Sequence, residues 1–391
     1  MPLRGHAHAT LVTHARRGPP DSSTTPAMPT KAMSLLSLEI NNFRNIHHAQ
    51  LDFSPGLNLI TGENTAGKTS LLESIYCLGR VRSFRTAISE QAIRYGESSY
   101  RLVGRVGQAQ DRTQPIGIER RAAGLQVHLD GKPIKRLSDL AGHFPVQVFS
   151  ADTPTILNGG PRYRRQALDW ALFHVERLYR ETWQRYNRAL RQRNAALRAQ
   201  HTAAAIHAWN AELLEAGEQL HHFRQRYFES LEPLLREEIE SLLPSGELLL
   251  RYQPGWPVDS DLSGLLQKAL EQDRVRGYTR YGPHRADFSL MLDGHSVSAH
   301  CSRGQQKAVT VGFLLAQVKL QHERDVPTGA FLLDDLSSEL DGGHRSRILA
   351  ALRELNSQVF VTAIDAALID AGDWQKASRF HVEHGHIQTA R

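Results

Sequence analysis

Cysteine is scarce in this chain: 391 residues hold two, Cys77 and Cys301. Two distant thiols build no disulfide framework, and neither stands in a metal-ligand spacing. They read as buried or idle thiols of a reducing, cytoplasmic compartment. Long apolar runs are missing too. No stretch approaches the ~20 residues that cross a bilayer, which excludes a membrane-spanning helix. Acids fall short of bases, 41 Asp and Glu against 47 Lys and Arg, for a formal net charge of +6. That surplus leans toward an anionic partner without naming one. The first 32 residues lack apolar periodicity, and there Arg4, Arg16, Arg17 and Lys31 face a single acid, Asp21. With no apolar central region, this stretch is not a secretory signal. It reads as a disordered extension upstream of a native start at Met33, or as a transit peptide.

What is present begins with Leu57–Ser70, LNLITGENTAGKTS. An apolar strand runs into a glycine-punctuated loop and then into an apolar helix. From Gly62 to Thr69 the spacing is G-x-x-x-x-G-K-T, the loop that wraps a nucleotide triphosphate. Gly62 and Gly67 permit the tight turn that points backbone N–H groups at phosphate oxygens, with Glu63, Asn64, Thr65 and Ala66 between them. Lys68 supplies a cation for the outer phosphates, and the Thr69 hydroxyl can ligate Mg²⁺. The helix starting near Gly67 aims its positive end at the same anion.

Further along, Ala330–Asp335 reads AFLLDD, a buried strand ending in two carboxylates. A hard cation takes oxygen ligands, so Asp334 is the candidate for the Mg²⁺ shell. Asp335 is then placed to orient or deprotonate an attacking water. About thirty residues earlier, Ser302-Arg303-Gly304-Gln305 opens an apolar helix, and Ser338-Glu339-Leu340-Asp341 directly follows the acidic pair. Alone, the Ser302 turn reads as a helix N-cap. In series with the phosphate loop it reads as a second anion cradle, with Ser302, Gly304 and Gln305 as its contacts. Lys68, Asp335 and Ser302 are the candidate catalytic residues, and Gln147 and Asp341 are further candidates for lining the nucleotide site.

The pattern between these motifs is mixed α/β. Strands are expected at Leu35–Asn41 and Ala49–Phe53, joined by a polar turn holding Phe43, Arg44 and Asn45, and again at Val146–Phe149. From Pro161 to about Leu243 Gly and Pro almost vanish, and a helical lobe is expected. Strand signals return at Glu247–Tyr252, Phe288–Leu292, Ala330–Leu333 and Val359–Thr362, with a hairpin-like end around Phe380–Ile387. The expected organisation is an extension 1–32, head segments 33–160 and 245–391, and an inserted helical lobe 161–244. Pro161–Gln200 carries ten arginines against Asp169, Glu176 and Glu181. Its aromatics suit an interior face, whereas its arginines suit either plain solvation or a phosphate backbone read without base contacts. Arg162, Arg164 and Arg165 could instead serve the nucleotide site or the interface between protomers. The loop Gly282-Pro283-His284-Arg285 could point at nucleotide or DNA, or form an ordinary exposed turn.

In the order phosphate loop, S-x-G-Q, LLDD, SELD, the chain resembles the head of an ATP-binding-cassette ATPase. Its longer strings are similar to the RecF family of bacterial recombination mediators and gap-repair proteins: LEINNFRNI, GENTAGKTSLLE, NGGPRYRRQALD, QRNAAL, YGPHRAD, SRGQQK, LLDDLSSELD and QVFVT. The resemblance spans residues 33–391. It implies an ABC-type head with an inserted helical lobe, and an ATP-sandwiched homodimer in which Ser302 reaches the γ-phosphate held by the other protomer. It also implies DNA as partner (gapped, junction or duplex), other mediator proteins of the same pathway, help in loading recombinase, and roles in replication and SOS induction. Transporter ATPases carry a switch histidine where Ala363 and Ile364 stand here, which suits a slow, DNA-dependent ATPase used as a timer. The same difference disfavours a transporter subunit. An SMC-type head is disfavoured because the ~230 residues between the phosphate loop and S-x-G-Q leave no room for a long coiled coil.

Overall fold

The structure, a computed structural model, describes residues 33–390 apart from 87, 108–112, 135–139, 141–142, 151–155, 244–245, 327–328, 371, 373 and 375. The expectation for residues 1–32 lies outside the described residues. Fifteen strands, numbered in chain order, form three sheets among the described residues. The first sheet is antiparallel: β1 (Ser34–Phe43) and β2 (Ile46–Asp52), then, after β3 (Leu57–Thr61) has left for another sheet, β4 (Ser99–Gly107), β5 (Gln114–Arg121), β6 (Gly124–Leu129) and the short β7 (Lys132–Pro133). β3 lies at the centre of the second sheet, together with β8 (Val146–Phe149), β12 (Ala330–Leu333), β13 (Gln358–Ala363), β14 (Ala377–Glu383) and β15 (His386–Ala390). The third sheet holds β9 (Leu248–Gln253), β10 (Asp287–Leu292) and β11 (His295–Ser296).

In the central sheet the order is β15-β14-β3-β13-β12-β8, and all neighbours run parallel except the edge hairpin β14–β15. β12 and β13 are buried along their whole length, as their unbroken apolar runs demand of strands covered on both faces. One cover is the helix Lys68–Arg80, whose Leu71, Leu72 and Ile75 join Leu38, Ile40 and Leu102 of the antiparallel sheet and Ile60 and Phe360 of the central one. The opposite cover comes from the helices Arg303–Glu323 and Gly342–Glu354, through Val311, Leu315, Ile348 and Leu352 packed on Leu59, Val361 and Leu333. The buried Gln358 amide ties the two large sheets together. It accepts from Leu35 N at 2.8 Å and donates to Leu35 O and Ser54 O, each at 2.8 Å.

The helical stretch consists of helices at Gly160–Val175, Tyr179–Arg198, Ala203–His207 and Asn210–Leu242. Its aromatics lie inward, as their spacing suggests: Trp170, Tyr179, Tyr186, Tyr227 and Phe228 share a core with Leu248, Phe288 and Phe313. Phe43 departs from the expected polar turn. It ends β1 fully buried, edge-on to Tyr100 at 5.0 Å and bridged to Ile93, because the turn after it is only Arg44-Asn45.

Inside the helical region Arg193 and Asp273 are both fully buried and paired at 2.9 Å, with Arg193 also donating to Asn210 Oδ1 at 3.0 Å and Thr279 Oγ1 at 2.6 Å. Removing one partner strands a charge. Asp273→Ala is therefore expected to cost about 3–5 kcal/mol in denaturant unfolding, and the joint replacement Arg193→Met with Asp273→Leu to cost clearly less.

Candidate functional site

β3, β13 and β12 deliver their C-terminal ends to one edge of the central sheet, and there the dispersed sequence motifs meet. After β3 the chain turns through Gly62 (φ 151°) and Gly67 (φ 123°). A Cβ on Gly62 would stand 2.3 Å from Val382 O of β14, so the turn needs both the positive φ and the missing side chain. Helix Lys68–Arg80 then begins with no side-chain cap and no acid in its first turn, leaving its N–H groups and dipole to whatever lies before them. Lys68 is folded back over the loop, its Nζ donating to Gly62 O at 2.7 Å and Glu63 O at 2.9 Å. Burial pushes the Lys68 ammonium below its usual pKa, and Asp335 and Asp334 pull in the opposite direction.

Asp334 lies opposite. Its Oδ1 accepts from Thr69 Oγ1 at 3.1 Å and Thr362 Oγ1 at 2.8 Å, and Ser150 Oγ donates to its Oδ2 at 3.4 Å. Burial nevertheless lifts its pKa above the ordinary carboxylate value. Asp335 follows in the left-handed region (φ 50°), a conformation Asp tolerates better than most residues, with its N–H held by Thr362 Oγ1 at 2.7 Å. Its Oδ1 is buried and has no hydrogen-bond partner among the described residues. These groups face a groove of about 1000 Å³ lined by Asn64, Thr65, Gly67, Lys68, Thr69, Asp334 and Asp335. The groove's chemistry is that of an anion cradle beside an oxygen-donor pair. Thr69 and Asp334 fit a hard divalent cation, and Lys68 with the helix start fits a polyphosphate.

Comparison with known proteins agrees with this geometry. Residues 34–388 match the family model of the RecF/RecN/SMC N-terminal domain. The DNA replication and repair protein RecF of Stutzerimonas stutzeri is 38% identical over 91% of this chain and 97% of its own length. That of Nitrosococcus oceani is 38% identical over 91% of this chain and 99% of its own. The chain belongs to the RecF family. A solved structure of the recombination mediator protein RecF-ATP of the RecFOR pathway superposes with a TM-score of 0.82 at 26% identity, over 92% of this chain and all of the other. An Smc head bound to the C-terminal winged-helix domain of ScpA shares the fold, with a TM-score of 0.56 at 14% identity. As a RecF-family chain, it therefore has the ABC-type head expected of it, with mixed α/β sheets and helices.

The other expected site residues fall in three places. Ser302, Gly304 and Gln305 form an exposed turn outside the groove. Ser302 caps helix Arg303–Glu323 in a closed box, with Ser302 N donating to Gln305 Oε1 at 2.9 Å and Gln305 N to Ser302 Oγ at 3.3 Å. Asp341 caps the helix Gly342–Glu354, accepting from His344 N at 3.0 Å and contacting His344 Nδ1 at 2.5 Å. Gln147 does not line the groove. It sits mid-strand in β8, and its side chain faces a small separate cavity beside Tyr76, Arg80 and Trp170. The strand's end carries Ser150 instead, and that hydroxyl reaches Asp334. Arg164 and Arg165 are also spoken for: Arg164 forms a two-armed pair with Asp287 at 2.6 and 2.7 Å, and Arg165 donates to Ala286 O at 2.8 Å.

Several groove residues carry no signal in the local spacing. Asn45 Nδ2 donates to Ala66 O at 3.0 Å, bracing the phosphate loop. Arg44 lines the rim, clamped by the fully buried Glu73 at 2.9 and 2.6 Å. Arg85, Arg94 and the fully exposed Tyr95 complete that wall. The string LEINNFRNI holds Arg44 and Asn45, but only folding brings β1's turn against the loop.

Asp334 yields a test with a definite sign. Its folded pKa is raised, so its ionised form opposes folding at neutral pH, and the penalty fades as pH falls below the ordinary carboxylate range. Asp334→Asn keeps an acceptor for both threonine hydroxyls. It is expected to raise the melting temperature of the nucleotide-free protein at pH 8, with the gain vanishing near pH 3, while magnesium-dependent nucleotide binding is lost.

Proposed function

We propose that this chain is an ATP-dependent DNA-binding protein of recombinational and replication-gap repair, in which ATP joins two copies over DNA. The observation that carries the reading is the convergence of Lys68, Thr69, Asp334 and Asp335 on one groove while Ser302 and Asp341 stay exposed outside it. A site whose second anion-binding turn lies elsewhere on the surface is completed by a second copy. The matched relatives are named for DNA replication and repair, and a matched structure is of RecF-ATP, which supports the same reading.

In this reading Lys68 and the loop N–H groups from Gly62 to Thr69 hold the phosphates, and Ser302, Gly304 and Gln305 approach them from the partner copy. Thr69 and Asp334 would hold Mg²⁺, which when bound neutralises phosphate charge. Asp335, half-buried with an Oδ1 that has no partner among the described residues, is the group that would accept a hydrogen bond from the attacking water. Hydrolysis would then be slow and release the clamp. In this scheme residues 33–160 and 245–391 supply the head and 161–244 the lobe that embraces DNA, with residues 270–286 of the second head segment reaching out to lie along that lobe. Other mediator proteins of the pathway, recombinase loading and SOS induction belong to the same proposal, as does a cytoplasmic place of action. No helix among the described residues is long and apolar enough to cross a membrane.

Sedimentation and DNA binding measured with ATP, with ADP and without nucleotide test the reading. ATP is expected to shift the chain toward a dimer and to raise DNA affinity. If it changes neither, the clamp fails. Lys68→Met is expected to abolish both effects by removing ATP binding, whereas Ser302→Arg should keep ATP binding by the single copy and block dimer formation.

A further inference from the structure

The helices Tyr179–Arg198 and Asn210–Leu242 form a hairpin whose two ends differ in what they touch. Near the head, Leu242 O contacts His344 Nε2 at 3.1 Å and Ser241 O accepts from Arg347 Nη1 at 2.7 Å. Toward the other end, about 50 Å along a 33-residue helix, Ala196, Leu197, Ile206 and Leu270 make a small separate core. There the segment from Leu270 to Ala286 starts at the hairpin's tip and runs back along it to Tyr186 and Arg224. Its backbone is fixed from below by the half-buried Asn194 and by the buried Arg193 and Arg224. Thr279 N and Oγ1 both donate to Asn194 Oδ1, at 2.8 and 2.7 Å, and the Arg193–Asp273 pair holds the same threonine. Arg224 Nη1 donates to Pro283 O at 2.7 Å. His284 turns inward: burial pushes its pKa down to about 4, so the neutral ring accepts from Tyr186 OH at Nδ1 (2.7 Å) and donates from Nε2 to Thr279 O (2.9 Å).

Over that underside lies a surface on which arginines outnumber carboxylates, Glu271 being the exposed acid of the segment. Arg276 and Arg285 are exposed, and no carboxylate pairs with them among the described residues. Glu271 is engaged by Arg274, Asp273 is buried, and Asp287 is engaged by Arg164. The Arg285 guanidinium stacks over Tyr278 at 5.1 Å, and Arg280 over Tyr281 at 5.3 Å. Tyr278 is 37% exposed and Val275 87%. Exposed arginines without a carboxylate partner are free to pair with an anion. Guanidinium groups held over tyrosine rings suit an unstacked base, which duplex DNA does not present.

We propose that this tip is a contact for single-stranded DNA, in which the Tyr278–Arg285 stack takes a base and Arg276 and Arg280 take the flanking phosphates. The choice of DNA as partner rests on the function proposed above. The contact belongs to a single chain, so it operates with or without ATP. It gives the clamp a preference for sites where duplex and single strand adjoin.

The test uses the full chain and fluorescence anisotropy with a labelled oligothymidylate and, separately, a labelled blunt hairpin duplex, each with and without ATP. Tyr278→Leu and Arg285→Ala are surface changes that leave nucleotide binding as a check on folding. Each is expected to lower oligothymidylate affinity about tenfold in both nucleotide conditions and to leave duplex affinity within twofold. Wild-type affinity in both variants overturns the proposal, as does an equal loss on duplex, which would mark a plain charge patch. Unchanged DNA binding with lost binding of a labelled polyglutamate peptide would also overturn it, by marking a protein-docking surface. A tenfold loss in the variants without any ATP dependence in the wild type would uphold the tip contact while sinking the ATP clamp.

Discussion

The register of three parallel strands is the constraint on which the remaining arrangement depends. Leu59 of β3 pairs with Val361 of β13, which pairs with Leu333 of β12, so the three chains leave the sheet level with one another. One step further, Thr362 and Asp334 stand side by side, and the loop from Gly62 returns Thr69 to the same carboxylate. A one-residue slip of β12 would turn Asp334 to the other face of the sheet and bury an unpartnered charge among Val311 and Leu315. The two hydroxyls on Asp334 Oδ1 are therefore as much a lock on register as a feature of the site. Gln358 reinforces the lock from the opposite end of β13 by bonding the backbone of β1.

What could be read in advance follows from how far apart in the chain the cooperating atoms lie. The phosphate loop is legible because its glycines, lysine and threonine must be adjacent to wrap one anion. Ala330–Leu333 and Val146–Phe149 are legible because strands covered on both faces need unbroken apolar runs. Asn45, Glu73 and Thr362 are not legible locally. Each acts on a residue at least twenty positions away in sequence, and an Asn in a turn or a Thr in a strand has no periodic mark. Gln147 shows the reverse error: a polar residue near a strand end suggests the site, but the pleat turns it to the other pocket and leaves Ser150 to meet Asp334. Phe43 differs from its expected place for a similar reason, since two residues suffice for the β1–β2 turn and the ring falls on the buried face.

The arginines of the helical stretch divide by partner rather than by position. Arg193 and Arg224 are buried cations held by Asp273 and Asp169, at a desolvation cost that a neutral core would avoid. Such pairs are directional, and here they point inward from the hairpin to fix the backbone at Thr279 and Pro283. The buried charges thus position a loop, while the unpaired ones on its outer side remain available to an anion.

The head and the hairpin meet where electrostatics favours a joint. The last carbonyls of the helix Asn210–Leu242 carry the negative end of its dipole, and His344 and Arg347 of the helix behind Asp341 receive them. Asp341 is six residues beyond Asp335 and caps that same helix. The turn between the two acids is therefore joined, through a single helix, to the base of the hairpin. The helix from Asn210 to Leu242 contains Pro233, which gives up one backbone hydrogen bond within the span, and Gln317 of the helix Arg303–Glu323 steadies it nearby by donating to Tyr227 OH at 3.0 Å.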